Sequence, residues 1–333
     1  MQQFSYAKAL LQHWGVAVED IPTSDADEKQ EADFLASFGD VRVLIEEKTK
    51  EDNPIYLVKR AEELERGGIH TATLPISRNE TLSGLVRDAS RQLRSSSDKP
   101  HDFRLMWFTA TGAHAEGKYE QLMATLYGRT NILEMNAAHY RRCYYFRNAD
   151  FFRRAGVIDG AIVAHTDGES ISAKLCLNSL SPRYEALRRS AVLQPFGTAV
   201  EDPSALEADG TAFILDCALD RKNEAPLLDY LQKKYETAPL MTFDLGYTHA
   251  SILLSKNESK QVVQHGCYVL RTQRQLTPML RQAALELTVR PFRRPVHQIA
   301  PQCLDKGWTG IQATLKYAPI RHLAASYSSN PSH

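Results

Sequence analysis

Val41-Arg42-Val43-Leu44-Ile45-Glu46-Glu47-Lys48 is β-branched and apolar in its first half and turns acidic, then basic, at its end. It follows Glu31-Ala32-Asp33-Phe34 and a Gly39-Asp40 turn signal, the pattern of two strands joined in a hairpin. Successive side chains of an extended strand point to opposite faces, so Glu46 and Lys48 share a face while Glu47 looks away. The hairpin brings Asp33 near Glu46, so two carboxylates and an ammonium converge at one sheet edge. Neighbouring carboxylates repel each other, and a divalent cation is the usual resolution. Mg²⁺, with Mn²⁺ as its substitute, would there polarise a phosphoryl oxygen and activate water, and Lys48 would offset developing charge.

This arrangement resembles the PD-(D/E)xK nuclease superfamily. Asp33 stands at its first acid, Glu46 at its second, Lys48 at its lysine, Glu47 at the spacer, and Ala32 where a proline usually precedes the first acid. The order of elements agrees over roughly the first third of the chain: helix, strand, strand with Asp33, strand with Glu46-x-Lys48, then helices. The resemblance implies an α/β, restriction-endonuclease-like mixed sheet flanked by helices over residues 1–135. It also implies Mg²⁺-dependent hydrolysis of phosphodiester bonds, with DNA as the expected partner. Asp33 and Glu46 would bind the metal and Lys48 would assist the attacking water. Gln12 is the candidate for a further position on the first helix, where relatives carry an acid or a glutamine. Gln92 or Arg91, on a later helix, would act near the phosphate. A catalytically degenerate relative would instead bind nucleic acid without metal dependence.

Length and composition frame this reading. At 333 residues the chain exceeds one average domain, and residues 136–330 are expected to form a second, α+β domain that completes a substrate groove or mediates assembly. The formal net charge is zero, which argues against a nonspecific coat protein for polyanions and leaves local patches to contact DNA. Five scattered cysteines without a CxxC pair indicate neither a disulfide scaffold nor a zinc site. The start Met1-Gln2-Gln3-Phe4 lacks a basic, then apolar leader, and no run of about 18 apolar residues occurs. The expectation is a soluble cytoplasmic protein without a membrane partner, either a monomer or a homo-oligomer.

Helical spacing of Phe4, Ala7, Leu10, Leu11 and Trp14 predicts a first helix ended by Gly15. Further helices are predicted over 55–66 and 80–95, the latter presenting Arg87, Arg91, Gln92 and Arg94. A short strand is expected over 71–76. The continuous apolar run 103–110 reads as a buried central strand. Gly112 to Lys118 then fits GxxxxGK, and an alternative nucleotide-hydrolase reading pairs it with Asp216 at the end of an apolar run. Tyr119 stands where that motif needs a small hydroxyl, and Glu116 puts an anion where phosphates would sit.

Further on, Arg141-Arg142-Cys143-Tyr144-Tyr145-Phe146-Arg147 and Phe151-Phe152-Arg153-Arg154 interleave arginines with aromatics. The favoured reading is a helix with its aromatics in the core and its arginines outward. A hairpin is predicted around Asp167-Gly168. Arg271, Arg274, Arg281, Arg290, Arg293 and Arg294 face one nearby acid, Glu286. That local excess makes them candidates, with Arg91, for contacts to a nucleic-acid backbone.

Overall fold

The computed structural model describes residues 4–22, 31–67, 69–112, 114–135, 137, 139–166, 170–243, 247–254 and 272–273. Helix α1 (Tyr6–His13) precedes β1 (Ala17–Asp20), β2 (Phe34–Phe38) and β3 (Val41–Lys50). Next come α2 (Pro54–Glu65), β4 (Ile69–Pro75), α3 (Glu80–Ser95), β5 (Phe103–Ala110) and α4 (Ala115–Tyr127). The chain goes on through β6 (Thr130–Glu134), β7 (Tyr140–Tyr144), α5 (Asp150–Arg153), β8 (Gly160–Thr166), β9 (Ile171–Leu177) and α6 (Tyr184–Arg188). A 3-10 turn leads to β10 (Val200–Glu201), α7 (Pro203–Ala208), β11 (Ala212–Ile214) and α8 (Glu224–Tyr235). Strands β12 (Leu240–Thr242), β13 (Tyr247–Leu254) and β14 (Thr272–Gln273) follow. Among the described residues no helix is long and apolar enough to cross a membrane.

The molecule is a mixed α/β protein built on a seven-stranded sheet in the order β1-β2-β3-β5-β8-β9-β10. Strands β1, β2 and β3 form an antiparallel meander, β5 and β8 join parallel to β3, and β9 returns antiparallel. Central β5 is covered on both faces, which is why its sequence reads as one apolar run. On one face Leu44, Met106, Phe108 and Val163 pack with Val86, Ala89 and Leu93 of α3 and Leu122 and Leu126 of α4. On the other, Val43, Ile45, Leu105 and Trp107 pack with Ala7, Leu10 and Leu11 of α1. The alternation of β3 between these two cores sets where its acidic end points.

The described chain divides into two compact units. One holds the residues through Glu51 and those from Ser77 to 243; the other runs over Asp52–Ile76 and takes β13 and β14. This departs from the boundary expected near residue 135. Strands β8 and β9, expected in a separate domain, continue the main sheet from β5, because their apolar residues complete both of its cores. Within the first unit, β11-β7-β6-β12 form a four-stranded sheet over a third core with Leu227 and Leu231 of α8. The predicted strand over 71–76 exists as β4, yet it lies in the other unit and pairs antiparallel with β13. The 55–66 helix, α2, belongs to that unit as well.

Of the two arginine-aromatic segments, Arg141–Arg147 is the end of β7 and a turn rather than the expected helix, whereas Phe151–Arg154 falls on α5 and its C-terminal cap. Tyr144, Tyr145, Phe146 and Phe151 are fully buried, with Tyr145 in the positive-φ region. Their arginines serve structure: Arg141 lies over the Phe213 ring and pairs with Glu134, and Arg147 pairs with Glu224.

Candidate active site

The hairpin register puts Phe34 opposite Ile45 and Leu35 opposite Leu44. The Asp33 amide donates to the Ile45 carbonyl at 3.1 Å, so Asp33 stands across from Glu46. Opposed residues of an antiparallel pair share a face, and this is the face that carries Leu35 and Leu44 against α3. The expected meeting of the two carboxylates therefore occurs. Asp33 is exposed, and its Oδ2 accepts from the Glu47 amide at 2.7 Å. Glu46 is fully buried.

Glu46 Oε1 accepts a hydrogen bond from the Lys48 ammonium, whereas Oε2 is buried without any hydrogen bond. Burial, and then the charge of Asp33, raise the Glu46 pKa to about 8, with Lys48 opposing the rise. The carboxyl thus sits where a second cation would be strongly favoured. Lys48 Nζ also donates to Gln92 Oε1 at 2.8 Å, and Gln92 Nε2 donates to the Glu31 carbonyl at 3.3 Å. Gln92 ties α3 to both the lysine and the segment that leads into Asp33. Of the candidates named from sequence, Asp33, Glu46, Lys48 and Gln92 gather at this edge.

Gln12 does not join them. Helix α1 packs with the opposite core, beside Ile45 and Trp107, and Gln12 is exposed there. Arg91 is exposed on α3, 3.2 Å from Asp88. Arg271, Arg274, Arg281, Arg290, Arg293 and Arg294 lie outside the described residues.

Glu47 has a role the sequence did not announce. Its carboxylate crosses to the α1 face, accepting from the Ala7 amide at 3.0 Å and from the Ser5 hydroxyl. Free amides and the dipole at a helix start favour such an anion. Ser5, an ordinary N-cap residue, was the only local signal. Glu47→Ala is expected to cost about 1–2 kcal/mol of stability, read as a lower urea midpoint at unchanged m-value. An unchanged midpoint would remove Glu47 from the architecture.

The GxxxxGK match does not make a phosphate cradle. Helix α4 already begins at Ala115, and Lys118 Nζ donates to the Thr111 carbonyl at 2.9 Å. Asp216 follows β11, which belongs to the four-stranded sheet, whereas β5 lies in the seven-stranded one. Its carboxylate binds Tyr230 at 2.7 Å and Lys234 at 3.0 Å. The two halves of a nucleotide site are thus built into different sheets.

Among the described residues no group of three or more His, Cys, Asp or Glu side chains could hold a metal ion. The site offers two carboxylates, and Mg²⁺ is commonly held by only one or two, the rest of its shell being water and substrate oxygen. The orphaned Glu46 Oε2 opposite Asp33 fits that demand. No family model, curated protein or solved structure matches the chain.

Proposed function

We propose that the chain is a Mg²⁺-dependent nuclease of restriction-endonuclease-like architecture that hydrolyses phosphodiester bonds of DNA. The observation that carries this reading is the buried, unsatisfied Glu46 oxygen, set across the hairpin from Asp33 and beside a lysine held by two partners. The order of helix α1, the meander β1-β2-β3 and then α3 leading to parallel β5 supports the architecture.

Asp33 and Glu46 would hold the ion. When bound, it would polarise a phosphoryl oxygen and make its water a better nucleophile. Lys48 carries three N–H donors; Glu46 and Gln92 take two, leaving one for the attacking water or a phosphate oxygen. Its positive charge offsets the negative charge that grows on the phosphoryl oxygens. Gln92 keeps the ammonium from swinging wholly onto Glu46, because its amide is itself braced on the Glu31 carbonyl.

Incubation with plasmid and single-stranded DNA in Mg²⁺, Mn²⁺ or EDTA tests the proposal. Cleavage is expected with either metal and none in EDTA. DNA binding without cleavage under all three conditions would replace it with the binding-only reading.

A further inference from the structure

Asp33 stands one residue ahead of β2, whose paired residues begin at Phe34. Two backbone bonds carry the ladder past that point. The Asp33 amide donates to the Ile45 carbonyl, and the Ile21 amide donates to the Asp33 carbonyl, each at 3.1 Å. Ladder bonds run across the strands within the sheet. They fix which residue Asp33 faces and leave its height above the sheet to other contacts. That height decides where its carboxylate stands relative to an ion shared with Glu46, and a working site holds such geometry to about 0.5 Å.

The contacts that set the height come from the end of α3, the helix packed over this face. The Ala32 amide leaves the ladder and donates to Ser96 Oγ at 2.9 Å, between two buried residues. Ser96 is the C-cap of α3, and its own amide bonds back to the Gln92 and Arg94 carbonyls. The amide thus does the capping, while the hydroxyl oxygen serves a residue far earlier in the chain. Lys99, in the turn that follows, lies 3.5 Å from the Glu31 carboxylate, with both side chains largely buried. Together with Gln92 on the Glu31 carbonyl, these bonds hold the two residues before Asp33 at three points. Gln92 and Ser96 are four positions apart and share one side of the helix. One packing depth of α3 therefore sets Lys48 through Gln92 and Asp33 through Ser96.

We infer that Ser96 is a positioning residue for the candidate metal site: by holding the Ala32 amide it fixes where the Asp33 carboxylate meets an ion shared with Glu46. The inference deepens the nuclease reading and rests on its assignment of those two ligands. Ser96 itself touches neither ion nor substrate, so it acts on metal affinity and not on the steps that follow. A buried peptide N–H deprived of its acceptor moves to find another, and Asp33, one residue on, moves with it.

The test counts Mn²⁺ bound to the full chain without DNA, from loss of the free-ion electron paramagnetic resonance signal, with Asp33→Asn defining the background. Ser96→Ala is expected to bind the ion about tenfold more weakly than wild type, the scale of one buried hydrogen bond left unmade. The Mg²⁺ concentration for half-maximal cleavage is expected to rise in step, with the rate at saturating Mg²⁺ returning to that of wild type. Ser96→Thr keeps the hydroxyl but crowds a fully buried site, so its melting temperature is expected to fall while its Mn²⁺ affinity holds. Wild-type affinity in a folded Ser96→Ala protein overturns the inference. Affinity that follows melting temperature across both variants also overturns it, and leaves Ser96 as structural support alone. Should Ser96→Ala not fold, Lys99→Ala decides: about threefold weaker Mn²⁺ binding is expected, and unchanged binding overturns the inference. Wild-type protein that binds no Mn²⁺ above the Asp33→Asn background sinks the metal assignment itself, and the positioning role with it.

Discussion

Lys48→Ala is expected to lower Mg²⁺-dependent cleavage by about 10²–10⁴-fold, with DNA binding in EDTA retained. The ammonium is the group placed to steer water and offset charge at the phosphate, and no other Lys or Arg bonds to Glu46 among the described residues. Removing one partner of a buried pair normally costs about 3–5 kcal/mol. Here that cost is limited, because the Glu46 pKa is already raised to about 8 and the carboxyl can take up a proton once the amine is gone. The folded variant can therefore be assayed, with its melting temperature as the control. Cleavage at the wild-type rate by a folded Lys48→Ala protein rejects the assignment of the site.

Glu46→Gln is expected to make the protein more stable and inactive. The Glu46 pKa rises from its ordinary value of 4.5 to about 8 on folding. Between those values the native state holds a proton that the unfolded chain has released. Stability from this group is then fully present below the lower value and is lost as pH rises through the upper one. Glutamine removes that loss. At about pH 9 the variant should melt about 3 °C or more above wild type, and at about pH 5 the two should nearly coincide. Millimolar Mg²⁺ should raise the wild-type melting temperature at about pH 9 and leave Glu46→Gln unmoved. Parallel pH profiles for the two proteins would remove the buried charge from the account. Equal stabilisation by Mg²⁺ would remove Glu46 as a ligand.

The part of the site carried by the β2–β3 hairpin was legible in the sequence, for a physical reason. Period-two alternation and a Gly39-Asp40 turn fix both the register and the face, so Asp33 had to meet Glu46 once the hairpin formed. Gln92 could be named because α3 follows the strand that carries Glu46 and Lys48, although its grip on Lys48 depends on the depth at which α3 packs. What could not be read were the partners of elements whose existence was plain. The patterns of β4 and of the β8–β9 pair show strands, but a strand's own residues do not say which sheet it joins. That choice placed β4 in the second unit and β8 beside β5. Gln12 illustrates the same limit. Its helix was predicted, while the side of the sheet it covers was set by Leu10 and Leu11 meeting Ile45 and Trp107. The GxxxxGK match shows the converse, since a string of correct letters does not guarantee the loop that would give them meaning.

The bond from Glu47 to the start of α1 also acts as a register lock. If β3 slid by a single residue against its neighbours, every side chain would change faces. Glu47 would abandon the helix end that it neutralises, and Glu46 and Lys48 would be driven among the apolar side chains beneath α1. The misaligned hairpin would forfeit a cap and bury two charges in oil at one stroke. Correct alignment of the acids is therefore enforced from the far side of the sheet, by a carboxylate that points away from them.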